Sequence, residues 1–295
     1  MRKSFKKSIA ILSAAVILPV LAFAPTASAA TSTIIITGNT AAGENQPGWL
    51  FNRDTSTSTP YEFNEDQASI GEGSLYVKPI TNTLGTPGTK DKFIAENFIN
   101  TAITNIDTIS YDFRIGSGGD NADAGQFYMN VYANFGESDD LKFYDCRYDV
   151  VPTVGSTGGF TTVTFDPTQA YTVTTRTGTS ASPHTCPAVP ADMDTLSPGS
   201  NIRMFSLNVG DAGVSGSDTG LDGYLDNVIV TTTADTTTYD FEAPLTVLAN
   251  KDACKNGGWA TSEAPVFKNQ GDCVSSFASN GKAKGDPPIV NGLRF

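Results

Sequence analysis

Between residues 32 and 242 apolar side chains recur at every second position, with polar ones between them. Ile109, Tyr111, Phe113 and Ile115 alternate with Ser110, Asp112 and Arg114. Phe127, Met129 and Val131 alternate with Tyr128, Asn130 and Tyr132. Phe205, Leu207 and Val209 alternate with Ser206 and Asn208, while Met204 breaks the pattern towards Arg203. A period of two is the mark of strands with one buried face. Shorter β-branched or aromatic runs at 33–37, 75–77, 143–148, 160–165, 171–176, 224–231 and 236–241 predict further strands. Clusters of Gly, Ser, Asp and Pro at 116–125, 154–159, 177–190 and 210–223 separate them. Many short strands between turn signals predict an all-β sandwich or barrel. Residues 95–103 suit either a helix or a strand.

The pattern changes at Pro244. Beyond it, Asn250 or Asp252 can cap a short helix around Cys254, ended by Gly257-Gly258. Asp272 can cap a second helix over 273–279, ended by Asn280-Gly281. Trp259, Val266, Phe267 and Phe277 would form its apolar centre. So small a unit buries too little surface to stand alone, and a disulfide between its two cysteines would staple it.

The amino terminus predicts export. Arg2, Lys3, Lys6 and Lys7 precede an apolar run at 9–23, and Ala27-Ser28-Ala29 offers small residues for cleavage. The run is shorter than the ~20 residues that cross a bilayer, so it reads as a cleaved signal peptide, with no membrane span left after cleavage. The expected organisation is a signal peptide at 1–29, a β-sandwich domain at 30–243 and a two-cysteine module with its tail at 244–295, secreted and extracellular or associated with the cell surface. The four cysteines, Cys146, Cys186, Cys254 and Cys273, predict two disulfides in an exported chain. Of three connectivities, pairing of neighbours keeps each bridge inside one unit.

Charge narrows the partners. The chain carries 19 basic and 31 acidic residues. Without the four basic residues of the leader, 15 face 31, a net charge of −16. Nucleic acid and anionic lipid are therefore poor partners. His184 is the only histidine, which argues against histidine-held zinc and against a Ser-His-Asp triad. Next to Cys186 in a Pro- and Ser-rich loop, it reads as structural or exposed.

Two segments resemble a known class. Gly73-Ser74-Leu75-Tyr76-Val77 and Gly223-Tyr224-Leu225-Asp226-Asn227-Val228-Ile229-Val230 are similar to an early and a late strand of secreted bacterial jelly-roll ectodomains of the carbohydrate-binding-module type. The resemblance covers roughly residues 33–242 and implies an antiparallel two-sheet jelly-roll sandwich. Residues 255–259 and 267–275 resemble a short module at the ends of secreted bacterial proteins, with no activity attached to it.

Glycan cleavage needs two carboxylates about 5 to 9 Å apart. The best pairs, Glu62 with Glu65 or Asp66 and Glu137 with Asp139 or Asp140, lie in polar stretches beside turn residues and read as solvated charges. Calcium takes six to eight oxygens from carboxylates and carbonyls of a flexible loop. Asp211, Asp218 and Asp222, interleaved with glycines, and Asp226 on the next strand could supply them to a structural ion, although Asp and Gly also belong to any turn. The resemblance implies Asp226 as a ligand. Stacking on sugars needs aromatic faces with polar groups beside them. Tyr128, Asn130, Tyr132 and Asn134 share the face opposite the apolar set, and Trp49 with Phe51, and Tyr61 with Phe63, are loop candidates. The expected function is non-catalytic binding of a polysaccharide or cell-surface glycan. A structural or adhesive protein of the cell envelope is the second class, and a glycan-active hydrolase or lyase the third.

Overall fold

The computed structural model describes residues 29–37, 48–51, 61–80, 92–137, 143–178, 181–210, 220–244, 246–262, 265–279, 289–290 and 293–294. The leader expected at 1–29 lies outside the described residues apart from its last position.

Thirteen strands form two sheets, as the alternation predicts: β1 (Ala30–Thr37), β2 (Trp49–Phe51), β3 (Tyr61–Asn64), β4 (Ser74–Val77), β5 (Phe93–Ala102), β6 (Ile106–Ile115), β7 (Phe127–Asn134), β8 (Cys146–Val150), β9 (Thr161–Phe165), β10 (Thr172–Thr175), β11 (Asn201–Val209), β12 (Gly223–Thr232) and β13 (Asp235–Glu242). The first sheet runs β1-β13-β12-β4-β3, with β6 also on β12 and β9 on β6. The second runs β10-β8-β7-β11-β5-β2. Every pairing is antiparallel except that of β1 with β13. The undecided stretch at 95–103 lies mostly in β5.

The apolar set of each strand points between the sheets. Ile109, Tyr111, Phe113 and Ile115 of β6 meet Phe127, Met129 and Val131 of β7 and Phe205, Leu207 and Val209 of β11 in one core. Its aromatic end is built round Trp49, whose ring lies 5.1 Å from Phe241, 5.5 Å from Tyr239 and 5.7 Å from Phe205. Tyr61 and Phe63 pack there too, against Phe51. Edge-to-face contacts of this kind add about 0.5–1.5 kcal/mol each beyond burial.

β12 is the hinge of the first sheet. Along one edge it pairs with β6. Along the other, residues Gly223 to Leu225 pair with β4 and Val228 to Thr231 with β13. The ladder forks between them, at Asp226 and Asn227, where Asn227 takes a φ of +48°. Backbone N–H groups at a fork lose their strand partners, and buried ones must find others. The Asp226 carboxylate supplies them: Oδ2 accepts from the backbone of Ser69 (2.8 Å) and Ile70 (3.1 Å), and Oδ1 from Asn227 (2.7 Å) and Phe241 (3.2 Å).

Both disulfides pair neighbours, as expected. Cys146–Cys186 ties β8 to the loop after β10, and Cys254–Cys273 lies in the tail. The tail has its own apolar cluster. Cys254, Phe267 and Cys273 are buried in it, with Leu248, Trp259, Val274 and Phe277 packed around. Residues 251–257 form turns rather than the expected first helix. Two positions there require glycine: Gly257 has a φ of +89°, and a Cβ on Gly258 would stand 1.9 Å from the Ala253 carbonyl oxygen. The expected second helix is present as α1 (Gln270–Ala278) and starts earlier than expected. Asn269 caps it by accepting from the Asp272 N–H at 2.9 Å, so Asp272 sits in the first turn. No helix among the described residues is long and apolar enough to cross a membrane.

Candidate functional site

The outer face of the second sheet is polar and aromatic. Because Phe127, Met129 and Val131 fill the core, Tyr128, Asn130 and Tyr132 of β7 point the other way. The strand register extends them into three cross-strand rows. Tyr128 lies beside Asn208, Asn130 beside Ser206 and Tyr132 beside Met204. β8 adds Asp149 next to Asn130 and Arg147 next to Tyr132.

The middle rows form a hydrogen-bonded floor. Asn208 Nδ2 donates to the Tyr128 carbonyl (3.2 Å), the Ser206 carbonyl (3.1 Å) and the Ser206 hydroxyl (3.1 Å). Asn130 Nδ2 donates to Asp149 Oδ1 at 2.7 Å. Arg147 grips the same carboxylate with Nε at 2.8 Å and Nη2 at 3.2 Å. The floor is deep: Asn130 is 4% exposed and Asn208 1%. Asn208 Oδ1 is buried without a hydrogen-bond partner among the described residues. A buried amide oxygen in that state costs about 1–3 kcal/mol.

One end of the floor carries an aromatic cluster. Tyr132 lies 5.5 Å from Phe143 and 5.2 Å from Tyr144, all three half-buried. Burial pushes the Tyr132 hydroxyl up to about 12, against the opposing hydrogen bond with Ser206, so it stays protonated at neutral pH. The Arg176 guanidinium lies 5.4 Å from the Tyr144 ring and that of Arg203 6.0 Å from the Phe143 ring. Arg147, paired with Tyr132 across the strands, also borders the cluster.

The other expected residues fall elsewhere. Trp49 is fully buried between the sheets and cannot meet a ligand, because its strand pairs with β5 and turns the indole into the core. Tyr61 and Phe63 are core or half-buried residues of the same aromatic end. Tyr128 keeps the outward direction but is 8% exposed, with Lys92 Nζ 3.3 Å from its hydroxyl. The Asp222 carboxylate accepts from the Gly118 N–H (2.6 Å) and from the Tyr76 hydroxyl (2.7 Å). Asp226 serves the strand fork. Burial pushes its carboxyl up to about 7, and its backbone hydrogen bonds pull the other way. Both carboxylates thus face N–H or O–H donors. Asp211 and Asp218 lie outside the described residues, among which no three His, Cys, Asp or Glu side chains are grouped to hold a metal. His184 pairs with Glu137, its ring edge-on to Phe135.

Sequence reasoning missed Phe143, Tyr144, Arg147, Asp149, Arg203, Ser206 and Asn208. Only Ser206 and Asn208 carried a signal, their alternation with Phe205 and Leu207. The others converge through pairing of strands that period alone does not order.

No protein-family model and no curated protein matches the sequence. Several solved structures align with it weakly. The family 11 carbohydrate-binding module of a cellulosomal cellulase from Clostridium thermocellum aligns with a TM-score of 0.38 and 10% identity, over 65% of this chain and 92% of that one. The family 22 xylan-binding domain of a Paenibacillus barcinonensis protein aligns with a TM-score of 0.30 and 9% identity, over 64% and 86%. A family 28 module specific for non-crystalline cellulose gives 0.32 and 13%, over 62% and 88%. The β-sandwich itself is defined by the chain's own two sheets and the core between them.

Proposed function

We propose that this protein binds a polysaccharide or cell-surface glycan, without cleaving it, on the outer face of the second sheet. The observation that carries the reading is the half-buried trio Tyr132, Phe143 and Tyr144 beside the floor of Asn130, Ser206 and Asn208. Sugar rings present C–H faces that stack on aromatics and hydroxyls that need fixed donors and acceptors. The trio offers the first, and Arg147 and Asp149 beside it, with side chains 35% and 19% exposed, offer the second. Asp149 supports binding rather than catalysis, since Arg147 and Asn130 occupy its carboxylate. Two disulfides suit a compartment outside the reducing cytoplasm, which favours an extracellular setting. Asp211, Asp218, Asp222 and Asp226 remain proposed donors to a structural calcium ion, on sequence pattern alone.

The test is retention of the full chain on insoluble cellulose, xylan, chitin and cell-wall preparations, with calcium and with chelator. Retention on one glycan class, weakened about tenfold or more in Tyr132→Ala and Tyr144→Ala, is the expected result. No retention on any of them, or retention indifferent to both substitutions, refutes it. A melting temperature unmoved by chelator removes the calcium ion from the account.

A further inference from the structure

The first sheet, on the opposite side of the sandwich, carries a second constellation. Its outer face holds a cross-strand row made by four strands: Glu62 beside Tyr76, Tyr76 beside Tyr224, and Tyr224 beside Arg114. The two tyrosine rings stack with centroids 4.8 Å apart and planes 30° from parallel. Over them opens a cavity of about 520 Å³, walled by Tyr76, Tyr224, Arg114, Asp66, Gln67 and Asp222. That is within the roughly 300–1,000 Å³ usual for small-molecule sites.

The walls are fixed before any ligand arrives. Asp222, 3% exposed, is held by the Tyr76 hydroxyl and the Gly118 N–H, and its carbonyl accepts from Gly116 at 2.8 Å. A Cβ on Gly118 would stand 1.7 Å from the Gly220 carbonyl oxygen, so the two loops at this end touch backbone to backbone. Arg114 donates from Nε to the Thr157 carbonyl (3.1 Å) and from Nη1 to Gln67 Oε1. Those two bonds fix the guanidinium plane and leave Nη2 with no partner among the described residues. The Tyr224 hydroxyl likewise has none there.

A stacked tyrosine pair alone is an ordinary cross-strand contact that steadies a sheet. Here it borders an open cavity beside an immobilised guanidinium and carboxylates, which a purely structural pair does not need. The chemistry selects the ligand. Asp66 and Asp222 outnumber Arg114, which disfavours a phosphate, sulfate or other anion. The polar lining disfavours an apolar ligand. An aromatic platform with one fixed donor, one carboxylate acceptor and one free hydroxyl matches a neutral saccharide of one or two rings. We infer that the cavity over Tyr76 and Tyr224 is a second saccharide site, independent of the one on the second sheet.

The test uses the full chain and a panel of soluble neutral oligosaccharides (cello-, xylo-, manno- and malto-trioses), read by calorimetry and by amide shifts of residues 66, 114 and 224. Tyr132→Ala isolates the second site. The expected result is saturable binding that persists in Tyr132→Ala and weakens at least tenfold when Tyr224→Ala or Arg114→Gln is added. Ser117→Met tests the same point from an exposed rim position, filling the cavity without touching the folded core, and is expected to weaken binding similarly with an unchanged melting temperature. Shifts at these residues with no binding at Tyr132 would uphold this site and refute the first. Loss of all binding in Tyr132→Ala, no binding by any sugar at these residues, or binding that ignores Ser117→Met would overturn it.

Discussion

The cystine of the tail offers a prediction whose size follows from the structure. Of the three buried residues in the tail's apolar cluster, two are the bonded cysteines and the third is Phe267. The cross-link closes a loop with a sequence separation of 19. In the chain-entropy treatment a loop of that length restricts the unfolded chain by about 3 kcal/mol. A unit this small holds a stability of only a few kcal/mol, so removal of the bridge should leave it largely unfolded at 37 °C. The sandwich keeps its own bridge, Cys146–Cys186, and a separate core, and should be unaffected. The two tryptophans make the assay selective, since Trp49 is buried in the sandwich and Trp259 packs on the tail's cluster. Thermal melts of Cys254→Ala/Cys273→Ala followed by fluorescence, with and without Trp259→Phe, separate the two signals. The Trp259 signal should start red-shifted and show no transition, while the Trp49 midpoint stays within about 2 °C of the parent. A Trp259 transition at the parent temperature, or a joint fall of both midpoints, would sink the reasoning.

Two further outcomes concern the fork in the first sheet. Asp226→Ala strips the acceptor from four backbone N–H groups, those of Ser69, Ile70, Asn227 and Phe241, at about 1–3 kcal/mol for each buried donor left unpaired. Little or no soluble folded protein is expected, and a variant with a parental urea midpoint would show that the fork is held otherwise. Nearby, burial and the charges of Asp240 and Asp226 push the Glu242 carboxyl up to about 7, from an ordinary value of 4.5. A raised carboxyl binds its proton more tightly when folded. Its favourable contribution is therefore complete below pH 4.5 and is lost as pH rises through 7, on the order of 3 kcal/mol before solvent screening reduces it. Urea midpoints should fall between pH 5 and pH 8 and fall less steeply in Glu242→Gln. A parent protein that grows more stable over that interval contradicts the assignment.

Period-two alternation located β6, β7 and β11 and the direction of their side chains, because burial on one face imposes that period whatever the strand's neighbours are. It could not order the strands. Tyr76 and Tyr224 each alternate with core leucines, yet their meeting depends on a register between β4 and β12 that neither segment encodes alone. Trp49 misled for a related reason. It follows a glycine in a polar stretch, and only the pairing of β2 with β5 turns it inward. Asp226 stood out as an acidic residue in a β-forming run. Its four donors come from residues as far as 157 positions away, beyond any local pattern. In the tail, Asn269 displaced Asp272 as the cap because the helix begins at Gln270, earlier than the apolar residues suggested.

The parallel pairing of β1 with β13 bears on how the molecule comes into being. Ser32 meets Thr237 across 205 positions, and β13 is the only strand that β1 pairs with among the described residues. As the polypeptide is synthesised, Ile34, Ile35 and Ile36 emerge early and stay without their ladder until nearly the whole sandwich has followed. An unpaired β-branched strand is a template for other chains. A nascent or truncated product that stops short of residue 235 therefore carries this segment uncovered, and the last strand of the sandwich ends that exposure.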